Sequence, residues 1–136
     1  MVFEMGCGRG RVLAEFLNFG ASPRNIFGMD LLVDRLVRAH EQLPASRFIN
    51  ADGQNIPYPS RSFDLVLQYT ALSSILDPQI RQRVAQEMLR VLRSPDPALG
   101  KPGGIILSYD FWLNPTNPQT RGIRPAEIKR LFPDCR

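Results

Sequence analysis

Val2-Phe3-Glu4-Met5-Gly6-Cys7-Gly8-Arg9-Gly10-Arg11-Val12-Leu13 decides how the rest of the chain reads. The stretch opens apolar, turns on glycines at alternate positions and runs into a helical pattern: strand, tight loop, helix. Glycines in such a loop permit φ > 0 and let a ligand approach with no Cβ in the way. The helix start behind them offers unpaired N–H groups and a partial positive charge. A dinucleotide fingerprint would place Gly or Ala where Arg11 stands. The spacing is instead Gly-x-Gly-x-Gly, with the acidic Glu4 ahead of it.

Outward from this stretch, strand and helix patterns alternate. Val12, Leu13, Phe16 and Leu17 recur at helical spacing between Arg9 and Phe19, and Gly20 is a natural stop. Asn25 to Asp30 reads as a buried strand ending in a carboxylate. Leu31 to Leu43 is a helix closed by Pro44, and Arg47 to Asn50 a third strand. After the turn-rich Pro57-Tyr58-Pro59-Ser60-Arg61-Ser62, Phe63 to Tyr69 is a fourth strand. Asp77-Pro78 makes a helix cap and first turn, with Ile80, Val84, Met88 and Val91 on one face. Ser94 to Pro102 is a long loop, Gly103 to Asp110 a fifth strand, and 114–118 an extended polar segment. Pro125 opens a last helix reaching Phe132. Such alternation predicts a doubly wound parallel α/β sheet with helices on both faces. Ligands of such sheets bind at the carboxyl ends of the strands, where strand order reverses. That point falls between the first and fourth strands, so Gly6 to Gly10 and Gln68 to Thr70 are expected to face one crevice.

The 136 residues, 43% hydrophobic and 22% charged, suit one globular domain. The formal charge of +4 comes from arginines spread along the chain, without the basic clusters and interleaved aromatics of a nucleic-acid binder. Cys7 and Cys135 form no metal-ligand pattern, and both are expected reduced, in a cytoplasmic setting. No run approaches a membrane span.

Three carboxylates stand at or near strand ends: Glu4, Asp30 and Asp52. An acid where Asp30 lies can accept both hydroxyl protons of a ribose, chemistry common to nicotinamide and S-adenosylmethionine sites. Asp52 lies in Ala51-Asp52-Gly53-Gln54-Asn55-Ile56-Pro57-Tyr58-Pro59, followed by Phe63-Asp64-Leu65-Val66. Met88-Leu89-Arg90-Val91-Leu92 precedes Lys101-Pro102-Gly103-Gly104, with 93–100 between them. With Glu4-Met5-Gly6-Cys7-Gly8-Arg9-Gly10, these motifs occur in order over 2–109. The chain thereby resembles the class I S-adenosylmethionine-dependent methyltransferases, of the type 11-like branch. The tail, including Arg121-Gly122-Ile123, is similar to small methyltransferases of bacterial glycan and secondary-metabolite pathways.

The resemblance implies a Rossmann-like sheet in the order 3-2-1-4-5 and S-adenosylmethionine as cofactor. It implies that 1–136 is a single core domain, a fragment or an unusually short member. Cofactor-binding positions carried over are Glu4, Gly6, Cys7, Gly8, Gly10, Asp30, Leu31, Asp52, Gly53 and Gln68. Asp52 is expected to accept from the adenine amino group, and the N–H of Gly53, where relatives carry Ala, to reach the ring. The implied acceptor is a small or glycan-like molecule, with no nucleic acid expected. Tyr109 and Asp110 are the better-placed candidates for a general base, and His40 reads as a surface residue. Phe111 and Trp112 read as a cover for the sheet, and Arg121 and Arg124 as solvated loop charges. With no strand beyond the fifth, Ile105-Ile106-Leu107 becomes a bare edge that invites self-association. Two other readings are a non-catalytic module that keeps cofactor affinity or serves as a partner subunit, and a nicotinamide oxidoreductase. The position of Arg11 and the Asp52 motif disfavour the oxidoreductase.

Overall fold

The computed structural model describes residues 1–114, 116–133 and 135. Pro115, within the expected polar segment, lies outside the described residues. The strands are β1 (Val2–Met5), β2 (Ile26–Asp30), β3 (Arg47–Asn50), β4 (Leu65–Tyr69) and β5 (Ile105–Tyr109). The helices are α1 (Arg11–Asn18), α2 (Val33–Gln42), α3 (Pro78–Val91) and α4 (Pro125–Leu131). All strand pairs are parallel, in the order β3-β2-β1-β4-β5. This is the Rossmann-like order expected. Glu4 sits in the middle of the sheet, opposite Gly28 on one side and Leu67 on the other.

Strand residues alternate between two faces. On one face Phe3, Met5, Phe27, Met29 and Val66 pack with Val84, Met88 and Val91 of α3, and with Leu131 and Phe132 at the end of α4. On the other, Ile26 and Leu67 pack with Leu13 of α1 and Leu36 of α2. Each such side chain contributes about 1.5–3 kcal/mol on leaving water. The turn-rich loop after β3 is tied down from α3. Arg90 donates to the carbonyls of Ile56 and Tyr58, and Glu87 accepts from the Ile56 N–H at 2.8 Å. The Glu87–Arg90 pair holds the Glu87 carboxyl below its ordinary range.

Element ends follow local chemistry. α1 starts at Arg11, two residues later than its apolar spacing suggests, because Gly10 takes φ 74° as its left-handed cap. Gly20 does stop that helix, with φ 86°. Asp77 caps α3, its Oδ1 accepting from the N–H groups of Gln79 at 2.7 Å and Ile80 at 3.4 Å. β4 starts at Leu65 because Phe63 bridges instead to Leu92. Asp64 fastens the start of that strand: its carboxylate meets the Met1 ammonium and Arg93, and lies below its ordinary pKa. The loop after α3 closes on itself, Asp96 and Lys101 exchanging backbone hydrogen bonds at 3.0 Å.

β5 ends the sheet on its side. Ile106 packs into the core, whereas Ile105, Leu107 and Tyr109 are 65%, 50% and 49% exposed. Phe111 and Trp112, which follow β5, are 42% and 72% exposed, and the chain then turns back toward Ser73. On that return Arg121 donates its N–H to Ser73 O at 2.8 Å, and Ile123 is buried in the core. No described helix is long and apolar enough to cross a membrane.

Candidate functional site

The glycine loop is pinned to the neighbouring strand. The N–H groups of Gly6 and Cys7 both donate to Met29 O, at 2.9 and 2.8 Å. Gly6 has φ 74°, and a Cβ there would stand 2.6 Å from the Ala71 Cβ. No side chain fits at that point, where the loop passes the end of β4. Gly10 brings α1 within reach of α2, its missing Cβ lying 3.2 Å from the Ala39 Cβ. Beside Gly8 there is open space.

Asp30 completes the loop. Its Oδ2 accepts from the Gly8 N–H at 2.8 Å and its Oδ1 from the Leu32 N–H at 2.9 Å. A carboxylate has about four acceptor directions, so each oxygen keeps one for a ligand. Glu4 lies beneath, 1% exposed, and its Oε2 has no partner among the described residues. Burial, and secondarily the Asp30 charge, pushes the Glu4 carboxyl up to about 8. The same burial, reinforced by Glu4 and Asp30, drives the Cys7 thiol well above its ordinary range. Cys7 is a loop spacer whose sulfur fills the room beside Gly28, where a Cβ would meet it at 2.8 Å.

A crevice of about 810 Å³ opens above the strand ends. Its lining includes Gly6, Asp30, Leu31, Asp52 and Gly53 from the expected set. An adjoining hollow of about 390 Å³ takes in Glu4, Gly6, Cys7 and Gly8 together with Arg9 and Arg11. Arg35, Tyr69 and Thr70 border both. Gly10 borders neither; it sets the start of α1. Asp52 is exposed, with its oxygens on the N–H and side-chain amide of Gln54 at 2.9 and 3.0 Å.

Gln68 is placed differently from the expectation. It is 1% exposed and outside the crevice lining. Its Nε2 donates to Ser108 Oγ at 2.7 Å and Asp110 Oδ2 at 2.6 Å, and its Oε1 accepts from the N–H groups of Ala71 and Leu72. A buried amide needs its partners met, and here all four are internal. Gln68 therefore braces the turn after β4 from inside, with its amide turned to protein partners and not to the crevice. Asp110 accepts from Gln68 and from the Ser73 N–H at 3.1 Å, and is not among the residues lining the crevice or the adjoining hollow. Tyr109 stacks on Tyr69 with ring centroids 4.3 Å apart. His40 is exposed on α2.

Thr70 carries φ 61°, a left-handed conformation that costs a β-branched residue energy. The turn is overdetermined: its N–H donates to Tyr109 O at 2.7 Å, and its carbonyl accepts from the hydroxyls of Ser73 and Ser74. Sequence reasoning missed Arg35, Ile75, Asn117, Gln119 and Thr120, all of which line the crevice. The first stands in the opening turn of α2, just beyond the strand that Asp30 closes. The last three lie in a segment without periodicity and carry no positional signal.

A family model described as "Methyltransferase domain" matches residues 2–95. Among curated proteins, the phthiotriol/phenolphthiotriol dimycocerosates methyltransferase 1 of Mycobacterium ulcerans is 34% identical over 118 residues, 85% of this chain and 38% of that protein. The tRNA N(3)-methylcytidine methyltransferase Mettl2 of Drosophila melanogaster is 29% identical over 119 residues, covering 81% and 34%. The chain thus spans little more than a third of these relatives' length. Among solved structures, the YcgJ protein of Bacillus subtilis superposes with a TM-score of 0.74 at 20% identity, over 98% of this chain and 59% of its own. The [4+2]-cyclase SpnF superposes with a TM-score of 0.75 at 18% identity, over 98% and 50%. Likeness at this level fixes the fold and leaves the chemistry to the site.

Proposed function

This chain belongs to the methyltransferase domain family, in its S-adenosylmethionine-dependent class I form, and on that premise we propose that its crevice carries methyl transfer to a small, glycan-like acceptor. The observation that carries the reading is the pair of buried carboxyls, Glu4 and Asp30, under the glycine loop. The residues fit the cofactor. Asp30 keeps acceptor directions for two ribose hydroxyls. The orphaned Oε2 of Glu4 suits the ammonium of the methionine end, and Arg9, Arg11 and Arg35 suit its carboxylate. Gly53 and the exposed Leu31 suit the adenine edge and face.

When bound, S-adenosylmethionine supplies a methyl group already activated on a sulfonium. The chain's own work is then to position and to set the local field. Asp30 and the loop N–H groups fix the nucleoside. The strained Thr70 turn and the Tyr69–Tyr109 stack hold the wall between cofactor and acceptor.

Calorimetry with S-adenosylmethionine, S-adenosylhomocysteine and NAD tests the binding half. The first two are expected to bind and the third not. Asp30→Ala should weaken uptake at least about tenfold, since it removes charge-assisted hydrogen bonds; unchanged affinity removes Asp30 from the site. Methyl release against an acceptor panel tests the second half. A chain that binds both sulfur compounds yet methylates no acceptor is the non-catalytic module instead.

A further inference from the structure

Beyond the family match, which ends at residue 95, the return segment after β5 brings Asn117, Gln119 and Thr120 into the crevice lining. The same lining holds Ile75, Leu76 and Ile80, and Arg121, next to Thr120, is bonded to Ser73, two residues before Ile75. We infer that this end is the acceptor subsite and that it takes an uncharged, hydroxyl-rich group lying against an apolar face, as the ring of a sugar does. The inference rests on the methyl-transfer reading above and names the substrate class of the same crevice.

The segment is held in place. Arg121 donates its N–H to Ser73 O and Ile123 to Phe111 O, each at 2.8 Å. At Gly122 a Cβ would stand 1.9 Å from Trp112 O, so the two strands of the segment touch backbone to backbone. The fully buried Arg81 joins both sides, donating to Glu127 of α4 and to the carbonyl of Ile75.

The polar groups it offers are neutral and available. Asn117 Oδ1 accepts from the Gln119 N–H at 3.0 Å, which leaves Asn117 Nδ2. The side-chain amide of Gln119 has no partner among the described residues. The Thr120 hydroxyl donates to Asn117 O at 3.0 Å and keeps its acceptor directions. The charged group at this end is Asp77, whose Oδ1 caps α3. An anionic headgroup here would face the Asp77 carboxylate, a like-charge pairing that disfavours it, while the cation of the crevice lining, Arg35, stands in the set that suits the cofactor carboxylate. A sugar ring meets hydroxyl-matching amides on one side and Ile75 and Ile80 on the other.

The test uses the intact chain saturated with S-adenosylhomocysteine and three probes with the same tail: octyl glucoside, octyl phosphate and octanoate, each below its micelle concentration. Amide NMR titration should show octyl glucoside shifting the signals of Asn117, Gln119 and Thr120, with both anions at least about tenfold weaker. Asn117→Ala with Gln119→Ala should weaken the glucoside at least about tenfold while leaving S-adenosylhomocysteine uptake within twofold. Equal or tighter binding of an anion, an unaffected double variant, or no uptake of any probe overturns the inference. Failure of S-adenosylhomocysteine to bind the wild-type chain instead overturns the methyl-transfer reading itself.

Discussion

Glu4 shows how one buried atom sets a measurable property. Its carboxyl is pushed up to about 8 from 4.5, by burial first and by Asp30 second. A raised folded-state pKa favours the fold fully below about pH 4.5, and that benefit is lost as pH rises through about 8. Urea unfolding from about pH 5 to about pH 9 should therefore show stability falling by on the order of 4 kcal/mol. Glu4→Gln should flatten that slope, and a slope equal in both proteins would show that Glu4 is not its source. Two glycines make a second pair of residue-scale expectations. At Gly28 an added Cβ meets the Cys7 sulfur at 2.8 Å and the Phe48 ring at 2.9 Å; at Gly53 it meets Val84 at 3.2 Å and Met5 at 3.4 Å. Gly28→Ala should cost about 1–3 kcal/mol, as overpacking does. Gly53→Ala should cost less than about 1 kcal/mol, both read from thermal unfolding. The place of Asp30 in the crevice lining was legible because it closes a buried strand at the end where ligands of such sheets bind. Gln68 was not, because no local pattern tells whether an amide faces a crevice or a neighbouring strand.

Among elements, α3 and α4 are joined by the buried Arg81 and the half-buried Glu127. Removing one partner of such a pair strands the other charge, whereas an apolar replacement of the buried member does not. Glu127→Ala should cost about 3–5 kcal/mol. Arg81→Met should cost less, and the reverse order in chemical denaturation would mean that the guanidinium is not buried as a charge. Secondary structure was readable here because short apolar runs, buried throughout as in β2, alternate with longer stretches of three-to-four spacing. Boundaries shifted where cap geometry intervened, as at Gly10, where a bridge replaced a strand, as at Phe63, and at both ends of β5, which runs from Ile105 to Tyr109. The turn after β4 was unreadable. A threonine in the left-handed region contradicts local propensity and is held there by Ser73 and Ser74 of the same turn and by the Tyr109 carbonyl, which lies on another strand.

For the molecule as a whole, the exposed row on β5 is the feature with the widest reach. Two copies meeting edge to edge about a two-fold axis would set Leu107 against its own image and Ile105 against the partner's Tyr109, with no like charges opposed. Unpaired strand edges favour such contacts. Sedimentation velocity should show concentration-dependent association that Leu107→Lys abolishes; a single monomeric species at every concentration contradicts it. The strand order came from the family resemblance together with crossover handedness, and the crevice's position from the rule that ligands of such sheets sit where strand order reverses. The course of 111–124 did not, because a polar segment rich in proline has no period to read, and its path is set by contacts with Ser73 and the core.

Cys7 adds a clock to this architecture. Its sulfur lies behind the glycine loop, 5% exposed, while Cys135 is exposed. A maleimide reagent would modify the tail at once and reach the inner thiol only when the loop swings clear. The slow phase of labelling thus times the opening of the nucleoside's berth, without any substrate having to be known.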